Sequence, residues 1–191
     1  MYEGVGSSAS LADAPDDMLV RAMAAQDPHA LDALYTRHGP GLLGYLSGQL
    51  GNNRQLAEEV LQDVMLAAWK SAPNFRGDSK VRTWLIAIAR NLAINVRRKR
   101  KVQVVELHDV YKEESTSPLE RLERMDRAEA LKAALRELPD SQRETLELVF
   151  FHQLSGPEVA EVLDISVGTV KSRLHRAKET LRGLLGDEVG L

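Results

Sequence analysis

Cysteine is absent from the 191 residues, which excludes disulfides and thiolate-ligated metal centres and fits a reducing compartment. No apolar run approaches the roughly 20 residues that a membrane-crossing helix needs. The opening stretch MYEGVGSSAS also lacks the basic and apolar regions of a signal peptide. The expectation is a cytoplasmic protein with no membrane insertion of its own. Catalytic signatures are missing too: there is no Gly-rich phosphate loop, HExxH pair or G-x-S-x-G elbow. The five histidines, His29, His38, His108, His152 and His175, are scattered along the chain. Glu58, Glu59 and Asp63 share one helical stretch and have no loop carbonyls to complete a cation shell. The chain is therefore expected to be no enzyme and to hold no metal and no cofactor. Strand alternation, internal repeats and low-complexity tracts are likewise missing, so the expected fold class is all-α.

What is present is ordinary globular material, 43% hydrophobic and 28% charged, with a net charge of −3. A chain of this length buries one sizeable core or two small ones. A slightly acidic balance argues against indiscriminate coating of nucleic acid, so any DNA contact must rest on local patches, helped by a partner.

The most informative stretch is Leu154 to Leu185, LSGPEVAEVLDISVGTVKSRLHRAKETLRGLL. Ser155 followed by Glu158 is a capping box, and Pro157 suits a first helical turn. Val159, Ala160, Val162 and Leu163 give that helix its inner face. Asp164-Ile165-Ser166 breaks the pattern, and Ser166 can cap a second helix whose apolar stripe is Val170, Leu174, Ala177, Leu181 and Leu184. Gly168, Lys171, Ser172, His175, Lys178 and Arg182 are left facing outward. Two helices joined by a three-residue turn, the second with a basic outer face, meet the requirements of a DNA-reading helix-turn-helix. Ser166 to Arg182 holds five cations, Lys171, Arg173, Arg176, Lys178 and Arg182, against the single carboxylate Glu179, a net of +4. A positive strip on an acidic chain resembles a phosphate-binding footprint.

The N-terminal half reads as four helices after a disordered leader over 1–12. Asp13 is the expected cap of Pro15 to Ala25, with Met18, Leu19 and Ala22 inward. Asp27-Pro28 starts a second helix with Ala30, Leu31, Leu34, Tyr35, Leu42, Leu43, Tyr45 and Leu46 inward. A kink or break is expected in it near His38, ahead of Gly39-Pro40. Asn52-Asn53 caps a third helix, Arg54 to Ser71, ended by Pro73, with Val60, Leu61, Val64, Met65, Ala68 and Trp69 buried. Its opposite face carries Glu58, Glu59, Gln62, Asp63 and Leu66, with no basic residue between Gln55 and Ala68. That face is either plain solvated surface or an interface with an apolar anchor inside a charged rim. After the loop PNFRGD, Asp78 or Ser79 is expected to cap a fourth helix to about Lys101, with Val81, Leu85, Ile88, Ala89, Leu92 and Val96 inward. It ends in Arg97-Arg98-Lys99-Arg100-Lys101, more cations than a helix C-terminal dipole calls for, and phosphate contact accounts for the excess. Phe75 and Trp84 offer aromatic surface on which unpaired bases stack, although Trp84 also suits a core.

Residues 102–118, VQVVELHDVYKEESTSP, lack helical period and read as a flexible acidic linker between two basic elements. Leu119 to Leu138 is the next expected helix, with Leu122, Met125, Ala128, Leu131, Ala134 and Leu135 in register. Pro139 stops it and opens Asp140 to Gln153, whose Leu146, Val149 and Phe150 should pack on the helix-turn-helix. The expected organisation is two helical domains, 13–101 and 119–186.

Three stretches in this order, AEEVLQDVMLAAWK, NFRGDSKVRTWLIAIARNLAINVRRKRK and LSGPEVAEVLDISVGTVKSRLHRAKETL, carry a resemblance over about Asp16 to Leu185. The chain resembles a small bacterial sigma factor of the extracytoplasmic-function (ECF) class. The resemblance implies a promoter-specificity subunit that binds core RNA polymerase and promoter DNA and is held by an anti-sigma factor. Glu59, Gln62, Asp63 and Leu66 would then dock on the polymerase. The loop with Asn74 and Phe75 and the helix after it would capture and melt the downstream element, with Asn91 at a flipped base and Arg97, Arg98 and Arg100 on phosphates. Lys171, Ser172, His175 and Arg176 would read the upstream element, with Arg173 and Lys178 on its backbone. Val81 and Arg82 depart from a place where relatives often carry aromatics, and Gly39-Pro40 from a helix that is usually continuous. Two other readings compete: a one-piece helix-turn-helix repressor or response-regulator output domain that binds duplex DNA as a dimer, which leaves the acidic helix and the Arg97 run unexplained, and a protein-binding adaptor, which leaves both basic patches idle.

Overall fold

A computed structural model describes residues 11, 13–101, 130–131 and 133–185. Of the leader expected over 1–12 only position 11, which is helical, is described; the linker over 102–118 and the helical pattern from Leu119 to position 129 lie outside those residues. The chain divides into two compact units, Met1–Val110 and Tyr111–Leu191.

The first unit is built from α1 (Asp16–Ala24), α2 (Pro28–Gln49), α3 (Arg54–Ser71), a 3₁₀ turn (Ala72–Asn74) and α4 (Val81–Lys101). α3 packs against both α2 and α4, so its two apolar flanks, with Val60, Leu61, Val64 and Ala68, are fully used. Leu19, Met23, Leu34, Leu46, Val64 and Leu85 have no exposed surface at all. Burial of each such side chain stabilises the fold by roughly 1.5–3 kcal/mol before chain entropy is set against it.

Local chemistry fixes the helix ends. The Asp27 carboxylate accepts from the His29 amide at 3.0 Å, and the Asn53 side chain accepts from Leu56 at 3.0 Å, so both starts stand where their polar residues precede the apolar pattern. α1 ends with Gln26 at φ 67°, the Asp27 amide on the Ala22 carbonyl and the Gln26 amide on that of Met23. This double closure satisfies carbonyls that the helix leaves open. Asp13 caps nothing here, because α1 begins at Asp16 with Pro15 in the capping position. Its register also differs: Leu19, Val20 and Met23 are buried, whereas Met18 is 55% exposed.

α2 runs unbroken through Pro40, which removes the expected break. Thr36, whose carbonyl loses its bond to the missing proline N–H, is exposed, as is Pro40, so the interruption falls on the solvent side of α2. The preceding turn is held from outside: Arg37 donates to the Ala14 carbonyl and the Asp16 carboxylate, and His38 Nε2 pairs with the same carboxylate at 2.8 Å. Tyr35 faces outward and is 49% exposed. α4 begins at Val81, with the Trp84 amide on the Lys80 carbonyl at 3.0 Å, so neither Asp78 nor Ser79 adjoins its first residue. Thr83, Ile86 and Ala93 join Val81, Leu85 and Ala89 in the core, while Ile88, Leu92 and Val96 are half-buried. Its buried stripe is wider than the sequence period suggests.

The second unit holds helical backbone at 130–131 and 133–137, then α5 (Asp140–Phe150), α6 (Gly156–Leu163) and α7 (Val167–Leu185). Its core joins Ala134, Leu138, Leu146, Ala177 and Leu181. α5 stops at Phe150 rather than Gln153, which takes φ 51°. Leu148 is the side chain buried from that turn, while Phe150 is left 47% exposed. α6 carries its capping box and ends on Asp164 in the left-handed region, and Ser166 Oγ accepts from the Thr169 amide at 3.1 Å. Asp164, Ile165 and Ser166 are thus the turn. Leu184, expected inward, is 50% exposed, and it is the next residue, Leu185, that packs on the core beyond Leu181.

Candidate nucleic-acid and protein-binding surfaces

Three surfaces collect the residues singled out by sequence. On α3, Glu58, Glu59, Gln62, Asp63 and Leu66 are all exposed. Two of the carboxylates are partly engaged by their own helix: Arg54 Nε donates to Glu58 at 2.9 Å and Gln55 to Glu59 at 3.4 Å. Such exposed pairs hold side chains loosely. Val64 is completely buried and Met65 5% exposed, whereas Leu66 is 53% exposed. Helical geometry turns each successive residue by about 100°, so an apolar side chain at Leu66 has no packing role on α3's inner side. What the face offers is an apolar knob among acids.

The second surface joins the loop to α4. Asn74 is exposed and Phe75 half-buried; the Phe75 ring lies 4.8 Å from that of Trp84, tilted by 42°. This contact answers the two readings of Trp84 together, since it supports the loop residue while remaining half-buried itself. Gly77 takes φ 79°, a conformation a Cβ would strain. A hollow of about 190 Å³ lies between α1 and this loop, with Phe75 and Arg76 on its loop side. Trp84, Asn91 and Arg98 are spaced by sevens, close to two turns each, so they share one stripe about 21 Å long. Asn95, exposed one turn after Asn91, falls on the same stripe and was missed by the sequence reading; the four-residue spacing was its available signal. Arg98, Lys99 and Arg100 are exposed. Arg97 differs, being half-buried and donating to Gln49 Oε1 on α2 at 3.3 Å.

The third surface is α7. Lys171, Ser172, His175 and Arg176 are exposed and form two adjacent rows one turn long. Ser172 Oγ donates to the Thr169 carbonyl at 3.0 Å, which uses its proton and leaves the hydroxyl oxygen as an acceptor. Arg173 is half-buried on the flank. Lys178 is half-buried too, its Nζ 5.6 Å from the centroid of the Phe150 ring. Arg182 pairs with Glu179. Exposed cations at the start of a helix behind a three-residue turn suit a major groove, where amino and guanidinium groups meet guanine edges and phosphates.

The family model for Sigma-70 region 2 matches residues 34–102, and that for Sigma-70, region 4 matches residues 128–181. The chain is similar to the ECF RNA polymerase sigma factor SigM of Mycobacterium tuberculosis, 34% identical over 174 residues that span 90% of this chain and 85% of the relative. Among solved structures it is similar to CnrH in complex with the cytosolic domain of CnrY, with a TM-score of 0.66, 28% identity, and coverage of 91% of this chain and 99% of the other. It is also similar to the sigma factor RpoE of Bartonella quintana in complex with the anti-sigma factor NepR, with a TM-score of 0.64, 26% identity, and coverage of 81% and 96%.

Proposed function

This chain belongs to the ECF RNA polymerase sigma factors, subunits that specify where transcription starts and are not themselves enzymes, and from that premise we propose how its surfaces divide the work. Residues 13–101 form the domain that binds core RNA polymerase and opens the downstream element, 102–118 tether it, and 119–186 form the domain that reads the upstream element. Glu59, Gln62, Asp63 and Leu66 dock on the polymerase. Asn74 and Phe75 in the loop receive the melted strand, Asn91 contacts its flipped base, and Arg97, Arg98 and Arg100 hold its phosphates. Extrusion costs least where a base gains a pocket and the strand gains cations. Lys171, Ser172, His175 and Arg176 read base edges, while Arg173 and Lys178 set register on phosphates.

The observation that carries this reading is the pairing of an exposed acidic face, anchored by Leu66 in one unit, with an exposed basic start of α7 in the other. A dimeric repressor accounts for only the second and an adaptor for only the first. Solved relatives are in complex with an anti-sigma factor or with the cytosolic domain of CnrY, and a partner of that kind, covering the polymerase-docking surfaces, is proposed here. No helix among the described residues is long and apolar enough to cross a membrane, and the proposed site of action is the cytoplasm.

Run-off transcription with core RNA polymerase tests the reading: the chain should confer initiation at a dedicated start site. Asp63→Arg should abolish core binding with the helical circular dichroism unchanged. Lys171→Ala and His175→Ala should shift upstream-element preference, whereas Lys178→Ala should weaken all sequences alike. Equal loss on every sequence from all three would remove the base-reading assignment, and no initiation at all would remove the functional one.

A further inference from the structure

Phe150 is out of place as a core residue. It is 47% exposed, and the burial expected of that turn is supplied by Leu148 at 0%. What the ring does touch is the ammonium group of Lys178, 5.6 Å from its centroid, within the range over which a cation is attracted to an aromatic face. Among the described residues no carboxylate pairs with Lys178. The acid next to it, Glu179, is engaged by Arg182.

We infer that Phe150 is the positioning residue for Lys178, holding its ammonium group on the flank of α7 for a DNA backbone phosphate. The inference rests on the proposed phosphate role of Lys178. A lysine on a free four-carbon stem must be ordered before it can grip a phosphate. A carboxylate could order it, but only by neutralising the charge the phosphate needs. An aromatic ring orders the same group and leaves its full charge and its remaining N–H donors for the DNA. Phe150 sits on α5 and Lys178 on α7, so the contact also fixes the recognition helix's cation to the helix behind it.

The test uses the full chain with a random-sequence DNA duplex, because phosphate contacts carry no sequence information. Fluorescence anisotropy is followed across a salt series. Lys178→Ala should weaken binding and lower the salt slope by about one. Phe150→Leu should weaken binding about two- to fivefold, the loss of one exposed cation–ring contact, and Phe150→Tyr should retain it. In the Lys178→Ala background Phe150→Leu should change nothing further. By NMR, the Lys178 ε-methylene protons should be shifted upfield by the ring in the unmodified chain, a signature that does not depend on any variant folding. Additive losses in the double variant, or an unshifted ε-methylene, would overturn the positioning role. Loss from Lys178→Ala with none from Phe150→Leu would overturn it while the phosphate role stands. No loss from Lys178→Ala would overturn the phosphate role, and the inference with it.

Discussion

Truncating Leu66 to alanine should separate docking from folding. Full burial of a leucine side chain is worth about 1.5–3 kcal/mol, and Leu66 is still 53% exposed in the free chain. Roughly half of that energy therefore remains for a partner to collect, on the order of 1 kcal/mol, or about a three- to tenfold weaker affinity for core RNA polymerase. Stability should move by no more than about 0.5 kcal/mol, since the site is on the surface and alanine is a good helix former. Leu61→Ala, five residues earlier and 3% exposed, should do the reverse and cost about 2–5 kcal/mol of folding free energy. Anisotropy of the labelled chain titrated with core polymerase gives the affinities, and urea unfolding gives the stabilities. Unchanged affinity in a folded Leu66→Ala chain would refute the docking face. A stability loss as large as the affinity loss would refute the claim that Leu66 lacks a packing role.

Gly44→Ala should stabilise the first unit by about 0.5–1 kcal/mol, because Gly44 is interior to α2 and a Cβ placed there meets nothing within 4 Å; thermal unfolding should show a higher midpoint. Asp164→Val should destabilise the second unit by about 1–3 kcal/mol, since φ is 54° there, while Asp164→Gly should be tolerated. Urea midpoints of the two variants compare these directly. Ser166→Ala removes the acceptor for the Thr169 amide and should cost about 1 kcal/mol, again read from urea unfolding.

Elements bounded by strong local chemistry were legible without coordinates. Arg54–Ser71 has Asn53 before it and Pro73 after it, α6 starts on the Ser155–Glu158 capping box, and Ser166 caps α7 after the turn at Asp164-Ile165-Ser166. The resemblance over three separated stretches also settled the fold class. Features decided at a distance were not legible. The fate of Pro40 depended on its lying, with Thr36, on the exposed side of α2 and on Asp16 bracing the turn before it. Period alone put Phe150 inward, whereas the competition with Leu148 is resolved only by packing. Arg97 looked like its four basic neighbours, and its bond to Gln49 links residues far apart in sequence. Exposure at Glu59, Gln62, Asp63, Leu66 and Lys171 is legible because helical period places each of them away from its helix's apolar stripe, even where, as at Leu66, the side chain itself is apolar.

The tilted contact between Phe75 and Trp84 gives the molecule a built-in optical probe. Only two tryptophans are present, Trp69 and Trp84, so replacing Trp69 with phenylalanine isolates a single indole whose neighbour belongs to the NFRGD loop. Any event that draws Phe75 off that indole should alter its emission, and under the role proposed for this loop the arrival of a nucleic-acid strand should become visible in real time with no dye attached.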